Sequence, residues 1–377
     1  MAACPRGIGL SPDPIMKTPP SCEGSTLISP STPAAIHPDD RVRVALVGTA
    51  NFGAYRRKRM RESGLFDLVA AYDWNPGALA ACQREEGALS VGSYRELLEV
   101  PGIEAVVIST GARYHAEQAV QAMERGLHVF VEKPLCTSYE EVRLLLETER
   151  RTGCKVSVGH FDHDCDPMSR AIKRLIDEGE LGTITAFEKT TAHSGGLRIT
   201  AGDWRGDPQR NPGGMLFQCG VHGLHELMFY FGPVAAVSAM MRYDVHVTRT
   251  ADSALCLLHF ASGVTGTLNA YHVTPYRHTL SLYGTRANLY YNNRYFEEGI
   301  SLMMQKRSDS NGFEPLEPVS WSGPSATWSN LENFYHAIRH GGECSPSLRD
   351  GALAVQVVFA AERSAATGRT VAVEPLS

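Results

Sequence analysis

A short apolar run that breaks into a glycine turn and then a helix is the feature that most constrains this chain. Val42 to Val47 is apolar at every position but Arg43, and it runs straight into Gly48-Thr49-Ala50-Asn51-Phe52-Gly53. The helical stretch that follows carries Arg56, Arg57, Lys58, Arg59 and Arg61, which read mostly as a solvated face. Further short apolar runs come at Leu68–Tyr72, Ala105–Ser109, His128–Val131 and Lys155–Val158, with helix-like stretches at 94–100, 116–124 and 139–151. Apolar runs of this length between helices read as strands buried on both faces. Their alternation predicts an α/β domain with a doubly wound parallel sheet, of the Rossmann kind, over residues 41–160.

The turn has a chemical meaning. Gly48, Ala50, Asn51, Phe52 and Gly53 span a G-x-A-x-x-G version of the dinucleotide fingerprint. The first glycine makes the tight turn, the last lets helix and strand approach, and the helix N-terminus offers N–H groups to a pyrophosphate. Ala50 stands where a middle glycine usually lets backbone approach the phosphates. The second run ends in Asp73, about twenty residues on, where a carboxylate accepts from ribose hydroxyls. A carboxylate there repels a 2′-phosphate, so NAD is expected over NADP.

Beyond residue 160 the pattern changes. A helix at 167–178 is followed by runs at 183–190, 236–242, 253–260, 266–271, 279–283 and 287–291, several of them alternating polar and apolar. This predicts an α+β C-terminal domain, 161–377, with a large, mainly antiparallel open sheet and one solvated face. Helices are expected at 330–339 and 351–366. Residues 1–40 are crowded with Pro, Ser and Thr and read as a disordered tail without the apolar core of a signal peptide. The nine cysteines show no C-x-x-C, and no apolar run is long enough to span a bilayer. Free thiols in a reducing, cytoplasmic setting are therefore expected. The net charge of −5 leaves no electrostatic footprint for nucleic acid or anionic lipid.

Two further constellations carry chemistry. Glu132-Lys133-Pro134 puts a carboxylate and an amine at the carboxyl end of a buried strand, where ligands of open α/β sheets bind. Gly213-Gly214 starts a turn into a helix on which Gln218 and His222, four apart, share a face. His160 opens a polar loop after the last parallel strand. His225-Glu226 does not complete a zincin spacing, and no metal is expected.

Val106-Val107-Ile108-Ser109-Thr110, His115 and Val131-Glu132-Lys133-Pro134-Leu135 resemble the Gfo/Idh/MocA oxidoreductases, among them glucose-fructose oxidoreductase and inositol dehydrogenases. The similarity runs from about Arg41 to the C-terminus, with Gly111 and Ala112 where the family usually has Pro and Asn. The resemblance implies NAD as cofactor, with Thr110, Gly111, His115, Glu132 and Lys133 beside it. It also implies that Lys133 touches both nicotinamide ribose and substrate hydroxyl, with a cis bond to Pro134. The helix of Gln218 and His222 would face the nicotinamide; the family pair there is commonly Asp and His, so His222 matches and Gln218 departs. The implied catalytic set is Lys133, His222 and Gln218. The substrate set adds His160 and Arg205, with Trp204 beside it, and a homo-oligomer, dimer or tetramer, is expected. The activity implied is NAD-dependent oxidation of a secondary hydroxyl of a sugar or cyclitol. A redox-neutral enzyme that retains NAD and an inactive NAD- or sugar-sensing protein are the alternatives.

Overall fold

The computed structural model describes residues 37, 40–246, 248–294, 299–308, 314–321 and 329–376. The stretch read as a tail lies outside these residues, apart from His37 and Asp40. In the first half β1 (Val42–Val47), α1 (Phe52–Ser63), β2 (Phe66–Tyr72), α2 (Pro76–Glu86), β3 (Leu89–Ser90) and α3 (Tyr94–Leu98) come first. β4 (Ala105–Ile108), α4 (Ala112–Met123), β5 (His128–Val131), α5 (Tyr139–Thr152) and β6 (Val156–Val158) follow. The strands form one parallel sheet in the order β3-β2-β1-β4-β5-β6. Chain order reverses between β1 and β4, which opens a crevice at their carboxyl ends.

Local signals set the helix boundaries. Asn75 accepts from the Gly77 N–H at 2.9 Å and Pro76 opens α2, while Ser138 caps α5 through the Glu141 N–H at 3.2 Å. Helix α4 starts at Ala112, four residues ahead of the expected start, with Gly111 as its cap. Alternate residues of β1 serve opposite faces of the sheet. Ala45 and Val47 pack with Val106, Ile108, Val129 and Val131 toward α4 and α5. Val42, Val44 and Leu46 pack with Met60 of α1 on the other face.

The second half contains α6 (Pro167–Asp177), β7 (Ile184–Ala192), α7 (Val221–Phe231), β8 (Val234–Arg242), β9 (Ser253–Phe260), β10 (Thr265–Tyr271) and β11 (Arg277–Gly284). After these come β12 (Ala287–Arg294), β13 (Gly299–Lys306), β14 (Glu317–Pro318), α8 (Ser329–His340), α9 (Leu348–Thr367) and β15 (Val371–Ala372). The nine-stranded sheet runs β14-β13-β12-β11-β7-β10-β9-β8-β15 and is antiparallel except at β7–β10. That parallel pair arises because the chain leaves β7, forms α7 and the β8-β9-β10 meander, and returns beside β7. Strand β9 alternates: Ala254, Cys256, Leu258 and Phe260 face the core, while Leu255 and Leu257 stay about half exposed on the open face.

The chain crosses the boundary expected at residue 160. Leu331, Phe334 and Tyr335 of α8 return to the first sheet and cover Val44, Phe66, Val107 and Phe130. Helix α9, opened by a Ser347–Asp350 capping box, packs on α5, β6 and β8 and so joins the two sheets through one core. Lys189 of β7, fully buried, ion-pairs with Glu226 of α7 and donates to His278 Nε2 at 2.9 Å, fixing α7 on the sheet. Among the described residues no helix is long and apolar enough to cross a membrane.

Candidate functional site

The glycine turn fits a dinucleotide. Gly48 takes φ +81°, and a Cβ on it would lie 2.7 Å from the Ser109 carbonyl across the crevice. A Cβ on Gly53 would lie 1.9 Å from the Gly48 carbonyl oxygen, so only glycine lets α1 approach β1 this closely. Asn51 makes no side-chain cap, and Ala50, Asn51 and Phe52 are exposed at the helix N-terminus. Backbone donors at this end are thus presented toward the crevice rather than consumed by a side chain. Asp73 ends β2 with its carboxylate oriented by the turn itself. Its Oδ2 accepts from the Thr49 N–H at 2.6 Å and hydroxyl at 3.1 Å, and its Oδ1 accepts from the Asn75 N–H at 2.8 Å. Trp74, next in the chain, is 89 % exposed.

Several residues expected at the cofactor also brace the loops at the carboxyl ends of β4 and β5. The buried His115 ring sits between the carbonyl oxygens of Pro134 (2.9 Å, at Nδ1) and Thr110 (3.0 Å, at Nε2), tying together the loops that follow β4 and β5. Burial lowers its pKa, so the neutral ring donates to one of these carbonyls at a time. The Thr110 hydroxyl donates to Gln118 at 2.6 Å, and Gly111 is spent as the α4 cap. Glu132 is buried and paired with Arg56 of α1, whose guanidinium also lies 4.6 Å over the Phe130 ring. Arg56 donates to Asn330 Oδ1 at 3.3 Å, and Asn330 Nδ2 donates to the His160 carbonyl at 2.8 Å. The expected solvated basic face of α1 is therefore corrected. Arg56 and Arg57 are buried, because Glu132 on one side and Glu85 and Glu86 of α2 on the other supply carboxylates. Lys58, Arg59 and Arg61 do pair at the surface.

Lys133 follows directly, its bond to Pro134 cis. Its Nζ donates to the Gln218 carbonyl at 2.8 Å, joining the end of β5 to the turn before α7. Residues Leu216–Gly220 wind as a π-turn, and α7 proper begins at Val221. The shared-face expectation for Gln218 and His222 is modified accordingly: the Gln218 side chain donates to Asn211 Oδ1 at 2.8 Å instead of to the histidine. His222 is held well below the ordinary histidine pKa by burial, then by the Lys133 charge and by His160 and His225. His160 is fully buried with both ring nitrogens unpartnered, 5.4 Å edge-on to His222 and stacked 4.7 Å from His225. His225, discounted as a metal ligand, is pushed down to about 3 chiefly by burial. No cluster among the described residues is arranged to hold a metal ion.

The Arg205 guanidinium pairs with Asp203 Oδ1 at 3.4 Å and lies 4.7 Å over the Trp204 ring, while its carbonyl accepts from Asn211 Nδ2 at 2.7 Å. Cys219, absent from the expected set, accepts from His193 Nε2 at 3.1 Å. The seven cysteines among the described residues are all free thiols. Asn330 and Arg56 were also missed: nothing in the local sequence ties a helix near residue 330 to the loop at residue 160.

A parallel sheet with a glycine turn at its switch point, an acid at the next strand end, and a lysine and histidine brought in from two elements define a nicotinamide-dependent oxidoreductase. The chain belongs to the Gfo/Idh/MocA family. Residues 42–160 match the oxidoreductase family's NAD-binding Rossmann fold, and residues 169–290 match the GFO/IDH/MocA C-terminal domain. The chain is 27% identical to scyllo-inositol 2-dehydrogenase (NAD(+)) of Bacillus subtilis (strain 168) over 88% of this chain and 96% of that protein. It is 26% identical to 1,5-anhydro-D-fructose reductase of Ensifer adhaerens over 78% of this chain and 87% of that protein. The structure of levoglucosan dehydrogenase in complex with NADH shares its fold, with a TM-score of 0.78 at 23% identity, covering 89% of this chain and 100% of that one.

Proposed function

We propose that this protein oxidises a secondary hydroxyl of a sugar, sugar derivative or cyclitol, reversibly, with NAD as the hydride acceptor. The observation that carries the reading is the Lys133 Nζ, set from β5 onto the Gln218 carbonyl at 2.8 Å, with its charge bearing on His222. NAD, bound along the Gly48–Gly53 turn, supplies the nicotinamide ring that takes the hydride. Lys133 donates to the reacting oxygen, and its charge offsets the negative charge that grows there as the hydride leaves. His222, held neutral, accepts the hydroxyl proton. His160, with unpartnered nitrogens beside it, and Arg205 bind neighbouring hydroxyls.

The pH dependence follows in sign. His222 must be neutral to accept a proton, and its pKa lies well below the ordinary 6.5. Activity is thus lost only as pH falls through that depressed value, and kcat/KM is expected to stay level down past pH 6.5. His222→Asn, which keeps a polar side chain but cannot take a proton, is expected to abolish the acidic limb along with most of the turnover. A wild-type limb at or above the ordinary value removes His222 as the proton acceptor.

Cofactor choice is assigned to Asp73. Asp73→Ser is expected to improve the NADP-to-NAD ratio of kcat/KM by about tenfold or more, because a full charge facing the 2′-phosphate is removed. The same change gives up bonds to Thr49 and Asn75 and weakens NAD binding. An unchanged ratio in steady-state assays with both cofactors would show that the ribose is read elsewhere.

A further inference from the structure

An exposed aromatic ring borders His222. Phe161 is 54 % exposed, and its ring centroid lies 5.3 Å from that of His222, tilted by 51°. His222 is half-buried, so its open side adjoins the phenyl ring. A hydroxyl that reaches the imidazole therefore brings the body of its molecule against Phe161.

The exposure is imposed by the chain on either side. Phe161 stands between His160 and Asp162, both buried. The His160 N–H donates to the Val158 carbonyl at 2.7 Å, and its carbonyl accepts from Asn330 Nδ2 at 2.8 Å. The Asp162 carboxylate accepts from the Cys165 N–H and from the Ser345 hydroxyl, both at 3.3 Å. With both neighbours held inward, the phenyl ring between them is kept at the surface. A phenyl ring in water forgoes the gain of burial, which the apolar face of a ligand would recover.

The sheet order puts this ring on the side of Lys133 away from the glycine turn. Along the carboxyl edge the strands run β1-β4-β5-β6. The turn follows β1, Lys133 follows β5, and Phe161 lies in the loop after β6. Phe52, exposed on the turn side, lies 6.0 Å from Lys133 Nζ. A molecule held by Lys133 and His222 thus has the turn on one side and Phe161 on the other. A phenyl ring carries no hydrogen-bonding atom, so a hydroxyl pressed on it is desolvated without a partner.

We propose that the substrate is a six-membered sugar or cyclitol ring oxidised at an equatorial hydroxyl, with its opposite C–H face resting on Phe161. This rests on the hydride chemistry proposed above. The carbinol C–H bond breaks with its electron pair going to NAD, the hydroxyl proton goes to His222, and a ring carbonyl is left. A C–H aimed at the turn side, away from Phe161, is axial, so the hydroxyl on the same carbon is equatorial.

The test measures NAD reduction with methyl β-glucoside and scyllo-inositol, whose hydroxyls are all equatorial. Methyl β-galactoside, β-mannoside and β-alloside, each with one axial hydroxyl, are compared with them. The position of the carbonyl in the product fixes the face from which hydride left. The better all-equatorial ring is expected to exceed, by about tenfold or more in kcat/KM, each epimer whose axial hydroxyl lies on the other face. Phe161→Ala should bring that ratio toward one and raise KM about tenfold, and Phe161→Tyr, which keeps the ring face, should restore both. A wild-type ratio near one, or a ratio that survives Phe161→Ala, removes the platform and leaves the dehydrogenase reading standing. Calorimetry of the same compounds with the NADH-loaded protein gives a second readout. Binding that favours the all-equatorial rings and needs Phe161, without turnover of any of them, upholds the platform and removes the dehydrogenase reading. Neither binding nor turnover of any of them overturns the proposal.

Discussion

Lys133→Ala is expected to leave NAD binding largely intact while turnover at saturating substrate falls by about a hundred- to a thousandfold. The side chain stands at the end of β5 and is partly exposed, and its fixed partner is a single backbone carbonyl. Removing it leaves no buried ion unpaired, so folding is little affected. What is lost is a cation whose charge bears on His222, and with it the charge proposed to offset a developing alkoxide. Titration of NAD by fluorescence together with steady-state turnover checks both halves. Weakened NAD binding with turnover preserved at saturation would make Lys133 a cofactor residue and nothing more.

Arg56→Ala has the second large effect, on stability. Glu132 is only 5% exposed, and Arg56 is its ion-pair partner. A buried carboxylate left without its cation costs about 3–5 kcal/mol. The change also removes the donor to Asn330, and so the link through which α8 holds the backbone of His160. A clear drop in melting temperature is expected, together with weaker sugar binding. Arg56→Met combined with Glu132→Gln, which leaves no bare charge, should recover most of the stability. An unchanged melting temperature in Arg56→Ala would mean that Glu132 does not depend on this pair.

These two residues mark where sequence reasoning reached and where it stopped. The strands β1, β2, β4 and β5, the glycine turn and Asp73 were legible because each signal is local: an apolar run, a turn residue, an acid at a strand end. Lys133 was legible for the same reason. Arg56 and Arg57 were not. Five basic residues in one helix look like a solvated face, and nothing nearby says that Glu132, 76 residues on, and Glu85, 28 residues on, will bury two of them. The π-turn at Leu216–Gly220 defeats an argument from helical spacing, so the side chain of Gln218 turned to Asn211 and its carbonyl to Lys133. The β7–β10 parallel pair and the return of α8 to the first sheet are choices of topology, and no window of residues encodes them. The polar loop at 160–166 hid a buried ring, because burial of His160 is set by α7 and α8 rather than by its neighbours in sequence.

The proposed reaction is hydride transfer from a carbinol carbon held between Lys133 and His222. Its most direct test is the stoichiometry of a single sugar conversion with NAD in excess, measuring reduced nicotinamide and carbonyl product together. One NADH released per carbonyl formed, with both abolished in Lys133→Ala, is the predicted result. Sugar consumed while no NADH accumulates, or carbonyl formed at the wild-type rate without Lys133, would contradict it.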